Sequence, residues 1–73
     1  EELLKINDLI SEAKALLSNN IIDDARTRLV DARETMSSIK SKWDKSLYSL
    51  YKYEIDEMMS TIEKLEEMIM NEQ

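Results

Sequence analysis

Acidic side chains are the residues of this sequence that could act as catalytic groups or metal ligands. Several of them lie on adjacent helical turns near the C-terminus: Glu54, Glu57, Glu63, Glu66 and Glu67. Di-iron bundles use such carboxylates, but they combine them with histidine in Glu-x-x-His motifs. The sequence has no histidine and no cysteine, which excludes that site, thiolate zinc sites and thiol nucleophiles. We therefore interpret these carboxylates as a solvated helix face.

The absence of glycine removes further classes of enzyme. Phosphate cradles, nucleophile elbows and dinucleotide-binding turns each depend on glycine, and the sequence contains none. The calcium-binding loop pattern Asp-x-Asp-x-Asp-Gly is also missing. We therefore predict a protein that is not an enzyme and that needs no cofactor and no metal ion.

Basic residues gather in the middle of the chain around its one tryptophan. Such a cluster can follow a nucleic-acid backbone while the aromatic ring stacks on a base. Acidic residues nearly cancel the charge of this segment, however, and the whole chain has a net charge of -6. Because a nucleic-acid surface needs a clear excess of positive charge, we predict no binding to nucleic acid.

Aromatic and methionine side chains are the candidates for contacts with a protein partner. Trp43, Leu47 and Tyr51 follow one another at steps of four, so we expect Trp43 to cover one end of the core and Tyr51 to fill it. Tyr48 and Tyr53 fall outside this stripe, and the methionines are more numerous than one packing seam needs. The predicted partner-binding residues are Trp43, Tyr48, Tyr53, Met59, Met68 and Met70.

The elements that position these side chains are helices. Proline and glycine are absent, and apolar residues recur at steps of three and four over residues 3–17, 22–43 and 58–69. Serine and asparagine at 18–20 form local hydrogen bonds that compete with a helix, which predicts a tight first turn. Ser41 and Asp44 fit a capping box, which predicts a second turn there.

The resulting fold is an all-α, antiparallel three-helix bundle. It forms a single domain over residues 1–73, with helices at about 2–18, 21–40 and 43–70. The alternative is a helical hairpin in which one long C-terminal helix, residues 22–70, dimerises as a coiled coil, because consecutive steps of four after Trp43 also fit a stutter in a continuous helix. The first residue is not methionine, so the chain can be a piece of a longer protein.

Charges predict the register between the last two helices. A second turn at residues 44–45 sets Arg26 beside Glu63 and Arg33 beside Asp56. Each exposed pair contributes at most about 1 kcal/mol, so these four residues would select the register more than they stabilise the fold.

The spacing of small and large packing residues across the first turn resembles a known pattern. The residues that carry it are Ala13, Leu16, Asn20, Ile22, Ala25, Leu29 and Ala32. They match tetratricopeptide-repeat hairpins and the first two helices of microtubule-interacting-and-transport domains, over about a third of the chain. Leu9 stands where the repeats have tryptophan, and Asn20 where they have a turn glycine. The resemblance implies a bundle that binds a short helical peptide in a groove.

These observations predict a non-enzymatic helical module for protein–protein interaction or assembly. It would self-associate, for example as a homodimer, or receive a partner helix. The alternative function is a small acidic inhibitor or regulator that binds a basic protein surface, because 16 acidic residues face 10 basic ones. No apolar run approaches the roughly 20 residues of a membrane-spanning helix, so we expect a cytoplasmic protein that does not insert into membranes.

Overall fold

The computed structural model describes residues 2–72, which form three long helices and one short helix. The helices are α1 (Glu2–Ser18), α2 (Ile22–Lys42), α3 (Lys45–Leu50) and α4 (Lys52–Glu72). The long helices α1, α2 and α4 pack against one another, and α3 touches mainly α4. The molecule measures 39 × 19 × 15 Å along its principal axes. The predicted all-α helical bundle is confirmed.

The first turn is a Schellman motif built on asparagine. Asn20 adopts the left-handed conformation with φ 61°. The Ile21 amide donates to the Leu16 carbonyl over 2.8 Å, and the Asn20 amide donates to Leu17 over 3.0 Å. Asparagine tolerates this conformation better than other residues that have a Cβ atom, so it ends α1 where glycine would commonly stand.

The second turn lies at Trp43 and Asp44. Both residues have extended backbones, with ψ 140° and 170°, so α2 ends before them. The alternative of one continuous helix over residues 22–70 is therefore wrong. The predicted cap is also wrong, because Ser41 lies inside α2, whereas the Asp44 carboxylate accepts the Leu47 amide over 2.8 Å. A carboxylate at this position satisfies a free amide and complements the positive end of α3.

A further interruption at Tyr51 separates α3 from α4. The sequence predicts one helix over residues 43–70, but the Tyr51 amide donates to Tyr48, three residues back, over 3.2 Å. Tyr51 has φ -108° and ψ 13°, outside the helical range. The apolar stripe before Tyr51 is thus not continuous with the stripe after it. Leu47 and Tyr51 stay 39% and 37% exposed, so the prediction that Tyr51 fills the core is wrong.

The core consists of the seam residues of the three long helices. They are Ile6, Ile10, Ala13, Ala25, Leu29, Ala32, Met36, Ile39, Ile55, Met58, Ile62, Leu65 and Ile69. Ala13, Ala25 and Ala32 are completely buried, and their small side chains let α1 and α2 approach closely. Within residues 2–71 no polar side chain is buried, so apolar packing alone fills the interior.

The register between α2 and α4 differs from the predicted one. Arg33 forms a two-pronged ion pair with Glu66, at 3.0 Å from Nε to Oε2 and 2.6 Å from Nη2 to Oε1. The predicted partner Asp56 instead pairs with Lys52 on its own helix over 2.8 Å. Because α3 and Tyr51 form the connection between α2 and α4, the residues that face α2 lie almost three helical turns later in α4 than a tight turn would allow.

Arg26 also forms an ion pair other than the predicted one. It pairs with Asp23 on its own helix over 3.2 Å and not with Glu63. Glu63 still contributes to the charge around the neighbouring Arg33.

Candidate interaction surface

The six predicted partner-binding residues do not form one surface. Trp43, Tyr48 and Met59 are half-buried and pack against the core. The others are exposed: Tyr53 by 72%, Met68 by 52% and Met70 by 73%. Tyr53 lies in the first turn of α4 and Met70 near its end, about 25 Å away at 1.5 Å per residue.

Trp43 closes one end of the bundle. Its indole Nε1 donates to Oε1 of Glu2 over 3.2 Å, which ties the second turn to the start of α1. Its ring meets the Tyr51 ring edge to face, with centroids 5.7 Å apart. An aromatic ring whose polar atom is hydrogen-bonded within the protein contributes mainly to packing. We therefore assign Trp43 a structural role, as the sequence predicts for its ring.

Met68 and Met70 lie on opposite sides of α4. Met68 lines a cleft between α1 and α4 together with Lys14, Leu17 and Leu65. The cleft on the other side, called here the α2/α4 cleft, is lined by Arg26, Leu29, Val30, Glu66, Ile69 and Met70. Leu29 and Ile69 form its buried floor, whereas Val30 and Met70 are 48% and 73% exposed at its rim. The sequence analysis missed Val30, because a single exposed valine beside a buried leucine has no distinctive spacing.

Carboxylates lie along the α4 side of the α2/α4 cleft. Glu63, Glu66, Glu67 and Met70 follow the three-and-four spacing of one helix face, so they share a side of α4. Glu66 pairs with Arg33 and raises the pKa of that guanidinium through its hydrogen bond and its charge. Glu63 and Glu67 have no ion-pair partner among the residues that the structure describes. The cleft therefore presents apolar side chains beside Arg26 on α2 and a row of carboxylates on α4.

A second exposed apolar group lies at the other end of the molecule. Leu47, Leu50 and Tyr51 lie on one side of α3 by their spacing, and Tyr53 follows at the start of α4; we call these four residues the aromatic corner. Leu50 is 70% exposed, and α3 buries none of its side chains. A signal was available in the sequence, because all four aromatic residues of the chain fall within residues 43–53.

Charged residues of both signs occur in the segment 40–57 that contains the aromatic corner. Lys40, Lys42 and Lys45 form no ion pair within the described part of the chain, whereas Lys52 pairs with Asp56. Tyr53 lies near Glu57, whose hydrogen bond and negative charge raise the pKa of the phenol. This end of the bundle thus combines exposed aromatic rings with both basic and acidic side chains.

Over residues 2–72, no three acidic residues are grouped so that they could hold a metal ion. None of the helices in that range is both long enough and apolar enough to cross a bilayer. In comparisons with known proteins, the chain matches no family model, no curated protein and no solved structure.

Proposed function

We propose that this protein is a non-enzymatic interaction module whose α2/α4 cleft receives a helical segment with apolar and basic side chains. The observation that carries the proposal is the exposure of Val30 and Met70 above the apolar floor that Leu29 and Ile69 form.

Apolar contact supplies the affinity under this proposal. A helix laid between two others contacts both through residues spaced by three and four. Met70 suits this role because its unbranched, polarizable side chain adapts to different apolar surfaces. Val30 faces it from α2 and loses its exposed surface at the same time.

Charge selects which helix binds. Glu63 and Glu67 lack partners, so a segment with lysine or arginine beside its apolar side gains attraction, whereas an acidic segment is repelled. Exposed pairs of this kind contribute at most about 1 kcal/mol each. The proposal therefore expects affinity that falls only moderately as salt is added.

A model peptide tests the proposal directly. A fluorescent amphipathic helix of leucine and lysine should bind the protein, and the double variant Val30→Gln, Met70→Gln should weaken binding at least about tenfold. Met68→Gln is the matched control, since Met68 is an exposed methionine on the other side of α4; it should leave the affinity unchanged. Equal affinity for the double variant and the wild type would refute the proposed cleft.

The salt dependence distinguishes this function from the acidic inhibitor. Between about 0.05 M and 0.5 M salt the Debye length shortens several-fold, which screens exposed charges but not apolar contacts. Peptide binding that survives this change supports a helix-receiving module. Binding that disappears, together with no effect of the double variant, supports an acidic surface that acts by charge alone.

A further inference from the structure

We propose that the ion pair between Arg33 and Glu66 closes the inner end of the α2/α4 cleft and limits a received helix to two anchoring side chains. The proposed function is the premise of this inference, which concerns how much of a partner the cleft takes. The length of the cleft and the contact that crosses between the helices at its end carry the inference.

The α2/α4 cleft is short and small. Its lining residues fall within residues 26–30 of α2 and 66–70 of α4, and its volume is about 250 Å³. Pockets that enclose a whole small ligand have roughly 300–1,000 Å³, so this cleft suits single side chains better. Five residues of a helix span about 6 Å, just over one turn. Because a docked helix presents anchors at intervals of three and four residues, this length accommodates two successive anchors.

Charged residues lie at both ends of the cleft. Arg26 is at the outer end, where it pairs with Asp23 over 3.2 Å. Glu66 is at the inner end, toward the middle of the bundle, and its two oxygens accept from Nε and Nη2 of Arg33 over 3.0 and 2.6 Å. Arg33 lies one turn beyond Val30 along α2. The pair therefore crosses from helix to helix directly beside the apolar part of the cleft.

The pair stops a docked helix because covering it would remove two charges from water. The side chains of Arg33 and Glu66 are 45% and 33% exposed, and a helix laid over them would bury both. The cost of desolvating two charges can exceed their mutual attraction. Beyond the pair, the same side of α4 continues with Met59, two turns before Glu66 and half-buried against the core. A longer docked helix would contact Met59 once the pair is removed.

Two leucine and lysine peptides of equal length test this limit. One has four leucines on one face, and the other keeps the two central leucines and has alanine in place of the outer two. The ratio of their affinities should be at least about tenfold larger for the variant Arg33→Ala, Glu66→Ala than for the wild type, because burial of one more leucine suffices for such a change. The Met59 methyl signal should shift on binding of the four-leucine peptide in this variant alone, whereas Met70 should shift in both proteins.

Two further variants are the controls. Arg28→Ala, Glu12→Ala removes the ion pair between α1 and α2, whose atoms lie 2.8 Å apart, and neither residue lines the cleft. This variant should behave as the wild type does. Arg33→Glu, Glu66→Arg rebuilds a pair with exchanged charges and should restore the limit. Recovery in the exchanged pair also shows that substitutions at these two positions leave the fold intact.

The measurements separate the limit from the function on which it rests. A smaller change in the affinity ratio, a Met59 signal that shifts in the wild type, or an exchanged pair that fails to restore the limit would overturn this inference. In each of these cases a shifting Met70 signal still supports the cleft as the docking site. If the wild type binds neither peptide, or binds with Met70 unmoved, the proposed function fails and the limit fails with it.

Discussion

Single polar contacts determine where the helices of this bundle begin and how they align. The Asp44 carboxylate caps α3, and the pair between Arg33 and Glu66 joins α2 to α4. Both contacts lie on the surface, where solvent weakens charge interactions. Their importance is therefore in selecting one arrangement of the helices, and their energetic effects should be small but specific.

Removal of the Asp44 cap should be measurable. Asp44→Ala leaves the Leu47 amide without its acceptor and should lower the free energy of unfolding by about 0.5–1 kcal/mol, as at other helix starts. Ser41→Ala should have no comparable cost, because Ser41 lies inside α2. Urea denaturation of both variants measures the difference. A larger loss for Ser41→Ala would place the cap where the sequence pattern puts it.

The ion pair between α2 and α4 should show coupling in a double-mutant cycle. Arg33→Glu should destabilise the protein, and Glu66→Arg in the same chain should restore about 0.2–1 kcal/mol. Asp56→Arg serves as the control, since Asp56 pairs with Lys52, and it should restore nothing. Coupling of Arg33 with Asp56 instead would contradict the register described above.

The Tyr53 phenol should titrate late. Glu57 raises the pKa of Tyr53 above its ordinary value of 10.0, so folding favours the protonated phenol. A raised pKa in the folded state means that this stabilisation is complete below pH 10 and disappears as the pH rises through the folded value. Tyrosinate absorbance should show a late phase that Tyr53→Phe removes and Glu57→Gln moves to lower pH. A titration that Glu57→Gln leaves unchanged would rule out this cause.

At the scale of helices, methionines of the same chain differ in how deeply they are buried. Met36 on α2 is completely buried, whereas Met70 on α4 is 73% exposed. Met36→Ala should lower the free energy of unfolding by about 2–5 kcal/mol, because it leaves a cavity among packed side chains. Met70→Ala should change it by less than about 0.5 kcal/mol. Equal effects in urea denaturation would mean that Met70 also belongs to the core.

The sequence predicts the helices better than their connections. The seams over residues 3–17, 22–43 and 58–69 identify the core, because an apolar stripe at helical spacing must be buried. The break at Tyr51 is not predictable, since neither glycine nor proline marks it and residues on both sides form helices readily. That break lengthens the connection between α2 and α4, and the predicted register fails as a consequence.

The sequence predicts that a residue is exposed only where that residue falls outside the apolar stripe of its helix. Met70 and Tyr53 fall outside the apolar stripes, so their exposure follows from spacing. Leu47 belongs to a stripe that resembles a core, and only its three-dimensional position shows it to be exposed. Leu50 and Val30 have no spacing signal at all, so the sequence identifies only part of the cleft and part of the corner.

At the scale of the whole molecule, the chain separates two kinds of surface. The end formed by α3 carries exposed leucine and aromatic side chains, and the last turns of α4 carry carboxylates beside an apolar cleft. The two surfaces differ in their exposed apolar side chains, which are leucine and tyrosine at one end and valine and methionine at the other.

The methionines offer the most direct measurement of the proposed binding site. With methyl-labelled methionine, magnetic resonance spectra can be recorded while the leucine and lysine peptide is added to the intact protein. We predict that the Met70 methyl signal shifts progressively, whereas Met68 on the other side of α4 and Met36 in the core stay in place. A Met70 signal that does not move under conditions where the peptide binds would contradict the assignment of the α2/α4 cleft as the docking site.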